Sequence, residues 1–181
     1  MKRIILSLLI CASFYNSNAQ KGGAKQQPLI NYNNTEYKIK MQYPKSWEIT
    51  DTISGAVFFI FTPSDDNDQF RENLTLSYED ISQNPTTLKE FVDGNLIGIK
   101  DGSTILDFKQ VSAKYFIWNG KQAYEINYTG KIADVDFPLV WCQRFVINKD
   151  KAYILTYSAE GSKKDIFSTA AKLAMNSLKF Y

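Results

Sequence analysis

The sequence predicts an α+β protein in which helices cover a central antiparallel sheet. Three observations carry that expectation. Apolar runs of strand length, alternating or continuous, recur along most of the chain. Two turn signals, Asn119-Gly120 and Asn148-Lys149-Asp150, join pairs of those runs as hairpins. Only two segments place apolar residues at helical spacing, giving the order strands, helix, antiparallel strands, helix. At 181 residues, 44% hydrophobic and 22% charged, the chain suits one domain with a sizeable core.

The first nineteen residues read as a signal peptide and are set aside from the fold. Lys2 and Arg3 form a basic start, Ile4 to Ile10 an apolar stretch, and Ser17-Asn18-Ala19 places small residues before a cut between Ala19 and Gln20. A lipoprotein signal ending at Cys11 is the rival reading, but Ile10 stands where a small residue is wanted. The apolar run is far shorter than the about 20 residues of a membrane span. The protein is therefore expected to be exported, periplasmic or extracellular, and soluble after cleavage. Residues 20–34 are polar and aperiodic, a flexible lead-in, and residues 35–181 form the single folded domain.

Within that domain Tyr37, Ile39 and Met41 alternate with polar residues as a first strand, and Pro44 turns the chain before Trp47 and Ile49. Residues 55–62 are continuously apolar up to Pro63, as in a strand buried on both faces. Leu74, Leu76 and Tyr78 resume alternation. Thr87 and Glu90 then form a capping box ahead of Leu88, Phe91, Val92, Leu96 and Ile99, with Gly102 as the stop. Gly94 and Gly98 suggest close packing of this helix on the sheet. Strands follow through Phe108 and Val111, Tyr115 to Trp118, Lys121 to Thr129, 139–147 and 151–158. The last element is a helix opened by Ser162 or Asp165, with Ile166, Phe167, Ala170, Leu173, Ala174 and Leu178 on one side.

Composition also removes chemistry. With no His in the chain, Ser-His-Asp and Cys-His systems, imidazole-ligated metals and a histidine pH switch are excluded. Cleavage takes away Lys2, Arg3 and no acid, so 21 basic residues become 19 against 19 acidic, a net charge of zero. No basic excess is left to follow a phosphate backbone, and nucleic acid is not expected as a partner. Cleavage also removes Cys11, so Cys142 stands alone, without an intramolecular disulfide, and reads as a buried small hydrophobe in the run Leu139 to Val146.

The ordered series Tyr43-Pro44-x-x-Trp47, Phe70-x-x-Asn73-Leu74-Thr75, Leu88-Lys89-Glu90-Phe91, Trp118 to Tyr124, Gln143-Arg144-Phe145, Lys151 to Tyr157 and Ser177 to Phe180 resembles the PsbP-like superfamily, which also holds Mog1 and DcrB. The resemblance spans about Tyr37 to Tyr181. It implies an α-β-α sandwich and a non-enzymatic role in docking a protein partner of the cell envelope or a secreted one. The histidine metal sites of plant members have no counterpart in this sequence.

Two acid-rich loops are the candidate partner-binding surface: Ser64 to Asn73, with Asp65, Asp66, Asp68, Arg71 and Glu72, and Lys131 to Pro138, with Asp134 and Asp136. The first occupies the chain region where Mog1-like relatives carry acidic contact residues. Asp65, Asp66 and Asp68 also raise weak calcium binding as an alternative. Counted as a twelve-residue loop from Asp65, however, Phe70 and Leu76 stand where an EF-hand needs Gly and Glu, which favours a plain Asx turn. No catalytic group, metal site or cofactor is assigned. The 14% aromatic content raises one further alternative, a cavity carrying a small apolar ligand between sheet and helix.

Overall fold

The computed structural model describes residues 27–51, 55–63 and 68–181. The expected signal peptide and cleavage point, Asp65 and Asp66 lie outside the described residues. In chain order the elements are β1 (Leu29–Asn34), β2 (Ile39–Pro44), β3 (Glu48–Thr50), β4 (Phe58–Phe61), β5 (Asn73–Asp80), α1 (Leu88–Lys100), β6 (Leu106–Trp118), β7 (Lys121–Lys131), β8 (Leu139–Asn148), β9 (Lys151–Glu160), α2 (Lys164–Ser177) and β10 (Lys179–Phe180). The α+β class read from the sequence is the one observed.

Seven strands form one antiparallel sheet in the order β3-β4-β5-β9-β8-β7-β6. Its two hairpins follow from their turns. Asn119 and Gly120 both adopt positive φ, 53° and 73°, as a two-residue turn matched to strand twist requires, and Asn119 Nδ2 also donates to the Leu178 carbonyl at 2.7 Å. Side chains alternate between faces. On β7, Tyr124, Ile126 and Tyr128 face one core with Phe91, Trp141 and Phe145, and α1 closes that side. On the other face Leu74, Leu76, Leu155 and Tyr157 pack with Met41, Trp47, Ala174 and Met175 under α2 and a small sheet of order β1-β2-β10. The expected sandwich is thus present, with a second sheet sharing the α2 layer.

Four details differ from the sequence expectation. Strand β1 lies inside the expected flexible lead-in. It pairs with β2 from Leu29↔Pro44 to Asn34↔Ile39, and Ile30 and Tyr32 pack on the core, Tyr32 edge-on to Phe58 at 5.4 Å. Three asparagines hide that alternation in composition. Strand β4 is buried on one face only: Phe58 and Ile60 are enclosed, while Phe59 and Phe61 stack at 5.9 Å, half-buried, on the other. Gly94 and Gly98 do not mediate close packing on the sheet. A Cβ at Gly94 would meet nothing within 4 Å, and one at Gly98 would press on the Ser103-Thr104 turn.

The fourth difference is α2, which begins at Lys164 without a side-chain cap from Ser162 or Asp165. Its buried residues are Ala171, Ala174 and Met175, with Phe167 and Ala170 packed beside them, whereas Ile166 and Leu173 are 65% and 45% exposed. Small alanines let the helix lie close against β2, where Ser177 Oγ accepts from Gln42 N–H at 2.8 Å and donates to the Gln42 carbonyl at 3.0 Å. The glycine that packing does require is Gly130 on β7. A Cβ there would sit 2.8 Å from the Leu106 carbonyl oxygen, close to the irregular pairing between Leu106 and Lys109.

Candidate functional site

The described part of the first acid-rich loop is tied into the fold. Asp68 pairs with Lys163, which also reaches Glu160 at 3.3 Å, and the Asp68 side chain is only 7% exposed. Burial opposes the charge on Lys163, but Asp68 and Glu160 outweigh it and hold its pKa above the ordinary value. Arg71 bridges Glu48 at 2.8 Å, donates through Nε to the Thr62 carbonyl and lies over the Phe61 ring. Glu72 is 0% exposed, and its carboxylate accepts from the Glu160 N–H at 3.3 Å. These contacts pin the segment after β4 to the start of α2. The expectation that Asp68, Arg71 and Glu72 form a free docking surface is corrected accordingly: Glu72 has no surface to offer, and Asp68 and Arg71 are engaged at home.

The second loop differs. Asp134, held at φ 66°, and Asp136 are exposed, while Val135 and Phe137 turn inward to the α1-side core. Phe137 meets Phe70 edge-on at 6.4 Å, which brings the described parts of the two loops together at one place. The Gly161 N–H donates to the Pro138 carbonyl at 2.8 Å and adds the β9–α2 connection to that junction. The group the structure assembles is thus Asp134 and Asp136 at the surface, over Phe70 and Phe137.

A feature that sequence reasoning missed is the far edge of the large sheet. Strand β6 is 13 residues long and, among the described residues, pairs only with β7, so one side of its backbone faces no other described strand. Four large apolar side chains stand out from it: Leu106, Val111 at 66% exposure, Tyr115, and Ile117 at 73%. A long apolar edge of this kind is a template for another strand unless it is blunted. Register shifts blunt the stretch between Leu106 and Ser112, but from Ser112 to Trp118 the pairing is regular. Of the run Tyr115-Phe116-Ile117-Trp118 only Trp118 is fully buried, with Phe116 packed half-buried against the core. Period-two patterning cannot distinguish an inner strand from an outer one.

Behind this edge lies an ion-paired cluster on the α2-side face. Arg144 Nε meets Glu125 at 2.7 Å with both side chains largely buried, Lys114 approaches Glu125 at 3.7 Å, and the Arg144 guanidinium lies over Phe116 and Trp118 at 5.5 and 5.4 Å. Cys142, opposite Asn127 on the same face, has its thiol pushed up to about 12, chiefly by burial, with Glu125 adding to it. A thiol held protonated is neither a nucleophile nor a metal ligand at neutral pH. Among the described residues, no three His, Cys, Asp or Glu side chains are placed to hold a metal ion, and no helix is long and apolar enough to cross a membrane.

The fold, an antiparallel sheet between layers that carry the helices, is similar to that of several solved proteins. Cyanobacterial PsbP from Synechocystis superposes with a TM-score of 0.60 at 18% identity, over 90% of this chain and 98% of that one. LpqN of Mycobacterium tuberculosis, described as involved in cell envelope biogenesis, gives 0.60 at 13% identity over 86% and 91%. A protein of Pseudomonas aeruginosa described as a putative regulator, PA94, gives 0.57 at 16% over 82% and 94%. No family model matches the chain, and no curated protein is similar to it in sequence.

Proposed function

We propose that the protein is an exported, non-catalytic accessory module of the cell envelope that docks an extended segment of a protein partner. The observation that carries this reading is the unpaired β6 edge, whose regular half presents Tyr115 and Ile117 beside free backbone groups. Strand addition takes its affinity from main-chain hydrogen bonds and its selectivity from alternate side chains, and this edge offers both. Asp134 and Asp136 provide a second, electrostatic element that steers a basic partner in a salt-dependent way. The fold shared with LpqN, which is described as involved in cell envelope biogenesis, supports an envelope setting. Export with cleavage between Ala19 and Gln20 is part of the same proposal.

Native mass spectrometry of the protein purified from its own host tests it. A co-purifying polypeptide is expected, lost when Tyr115 and Ile117 are both replaced by lysine and weakened by added salt in an Asp134-sensitive manner. Both positions are exposed, so the double variant keeps its fold. A small apolar molecule as the sole companion supports the carrier reading instead, and polypeptide capture that survives both lysines removes the edge from the account.

A further inference from the structure

A cleft of about 120 Å³ opens between the turn before β2 and the β8–β9 hairpin, lined by Lys38, Lys149, Lys151, Tyr153, Glu36 and Asp150 among others. It shares no residue with the β6 edge. We propose that this cleft is a binding site for a small oxyanion of the phosphate type, held by Lys38, Lys149 and Lys151.

Backbone conformation is the first argument. Among the described residues, five non-glycine residues have positive φ: Lys38, Asp107, Asn119, Asp134 and Lys149. Three are Asn or Asp, whose short side chains tolerate the left-handed region. Lys38 at φ 55° and Lys149 at φ 58° have no such local reason, and Asn or Gly would adopt either turn at lower cost. Both of these lysines line the same cleft. Residues kept in an unfavourable conformation where a cheaper one is available point to a use for the side chain.

Charge is the second argument. Among the described residues, none of the three ammonium groups lies within ion-pair distance of a carboxylate. Two acids, Glu36 and Asp150, share the lining, and neither forms an ion pair with the three lysines. Asp80, opposite Lys151 in the β5–β9 register, feels Lys151 but takes its hydrogen bonds from Ser82. Lys151 also lies over the Tyr78 ring at 5.7 Å. Tyr153, whose hydroxyl is pushed up to about 12 mainly by burial, keeps its proton and adds a neutral donor to the lining.

Size is the third. At about 30 Å³ per water the cleft has room for roughly four waters, which suits a tetrahedral oxyanion and falls well below the several hundred Å³ of a drug-sized ligand site. Lysine is suited to such a guest as a compact point charge on a flexible stem.

The experiment titrates the full-length protein with inorganic phosphate and, separately, with glycerol phosphate at constant ionic strength, read by calorimetry and by phosphorus NMR line width. Saturable binding is expected, and comparison of the two titrants distinguishes a free ion from a phosphate carried on a larger molecule. The variant Lys38→Asn with Lys149→Asn is expected to lose at least about tenfold in affinity while its melting temperature stays level or rises, because asparagine relieves the left-handed turns. Lys164→Gln with Lys172→Gln, the same charge loss on α2, should leave binding unchanged. Absence of saturable binding, binding that persists in the asparagine variant, or equal loss in the α2 control each overturns the proposal.

Discussion

Glu72 shows how a single side chain changes its meaning between sequence and fold. In the sequence it is one more acid in an acidic loop; in the structure it is enclosed between Thr62, Asp68 and the start of α2. Burial raises its carboxyl above the ordinary value of 4.5; backbone hydrogen bonds and Lys163 pull it back, and Asp68 pushes it further up. The folded state then binds this proton more tightly than the unfolded chain does. The stability this group contributes is complete below its ordinary pKa and is lost as pH rises through the folded value. Glu72→Gln, a neutral isostere, should therefore be more stable than the parent at about pH 8 and similar to it at about pH 4, as read from urea midpoints. A lower midpoint at pH 8 would mean that the carboxylate's hydrogen bonds outweigh its desolvation. Cys142 makes the converse point: burial, with Glu125, raises the thiol by more than Arg144, Lys172 and Lys114 lower it, so it stays protonated in its strand.

Among the elements, α1 is the one most fully specified locally. Thr87 Oγ1 accepts from Glu90 N–H at 3.2 Å, and the Glu90 carboxylate accepts from Thr87 N–H at 2.8 Å, the reciprocal pair expected from the residue types alone. Thr87→Ala should cost about 1 kcal/mol in thermal or chemical unfolding with no change in far-UV helical content of the folded state. An unchanged stability would mean that packing of Phe91, Val92, Leu96 and Ile99 alone holds the helix start. The α2 helix is the opposite case. Its apolar residues cover more than one face, and β2 selects the alanine face because it allows the closest approach, leaving Ile166 and Leu173 in solvent. The pairing of β1, expected as a flexible lead-in, and the edge position of β6 have a related cause: a strand's neighbours, rather than its own residues, decide whether it is edge or interior, lead-in or pair.

At the scale of the whole molecule, the two cores on opposite faces of one sheet account for the aromatic excess. Tyr128 stacks on Trp141 at 5.1 Å on the α1 side, and Tyr153 meets Phe180 at 4.9 Å on the other. Rings fill both layers, which leaves the edge, the loops and the small Lys38 cleft as the surfaces where function has room. Export belongs to this scale too. Intact-mass measurement on protein from its own host should show a chain beginning at Gln20, partly cyclised, with no lipid on Cys11. A diacylated species starting at Cys11 would replace the soluble reading with a membrane-anchored one.

Residue types and local patterns already specify the class, the hairpins, the capped helix and the exclusion of imidazole chemistry. Each of these rests on contacts between residues close in the chain or on residue types that are absent altogether. Long-range packing is what buries Glu72, pairs Asp68 with Lys163 and Arg71 with Glu48, makes β6 an edge among the described strands, and brings Lys38 and Lys149 to one cleft. Those outcomes depend on partners far apart in the chain, such as Asp68 with Lys163. Local periodicity and composition carry no information about which distant segment will arrive there.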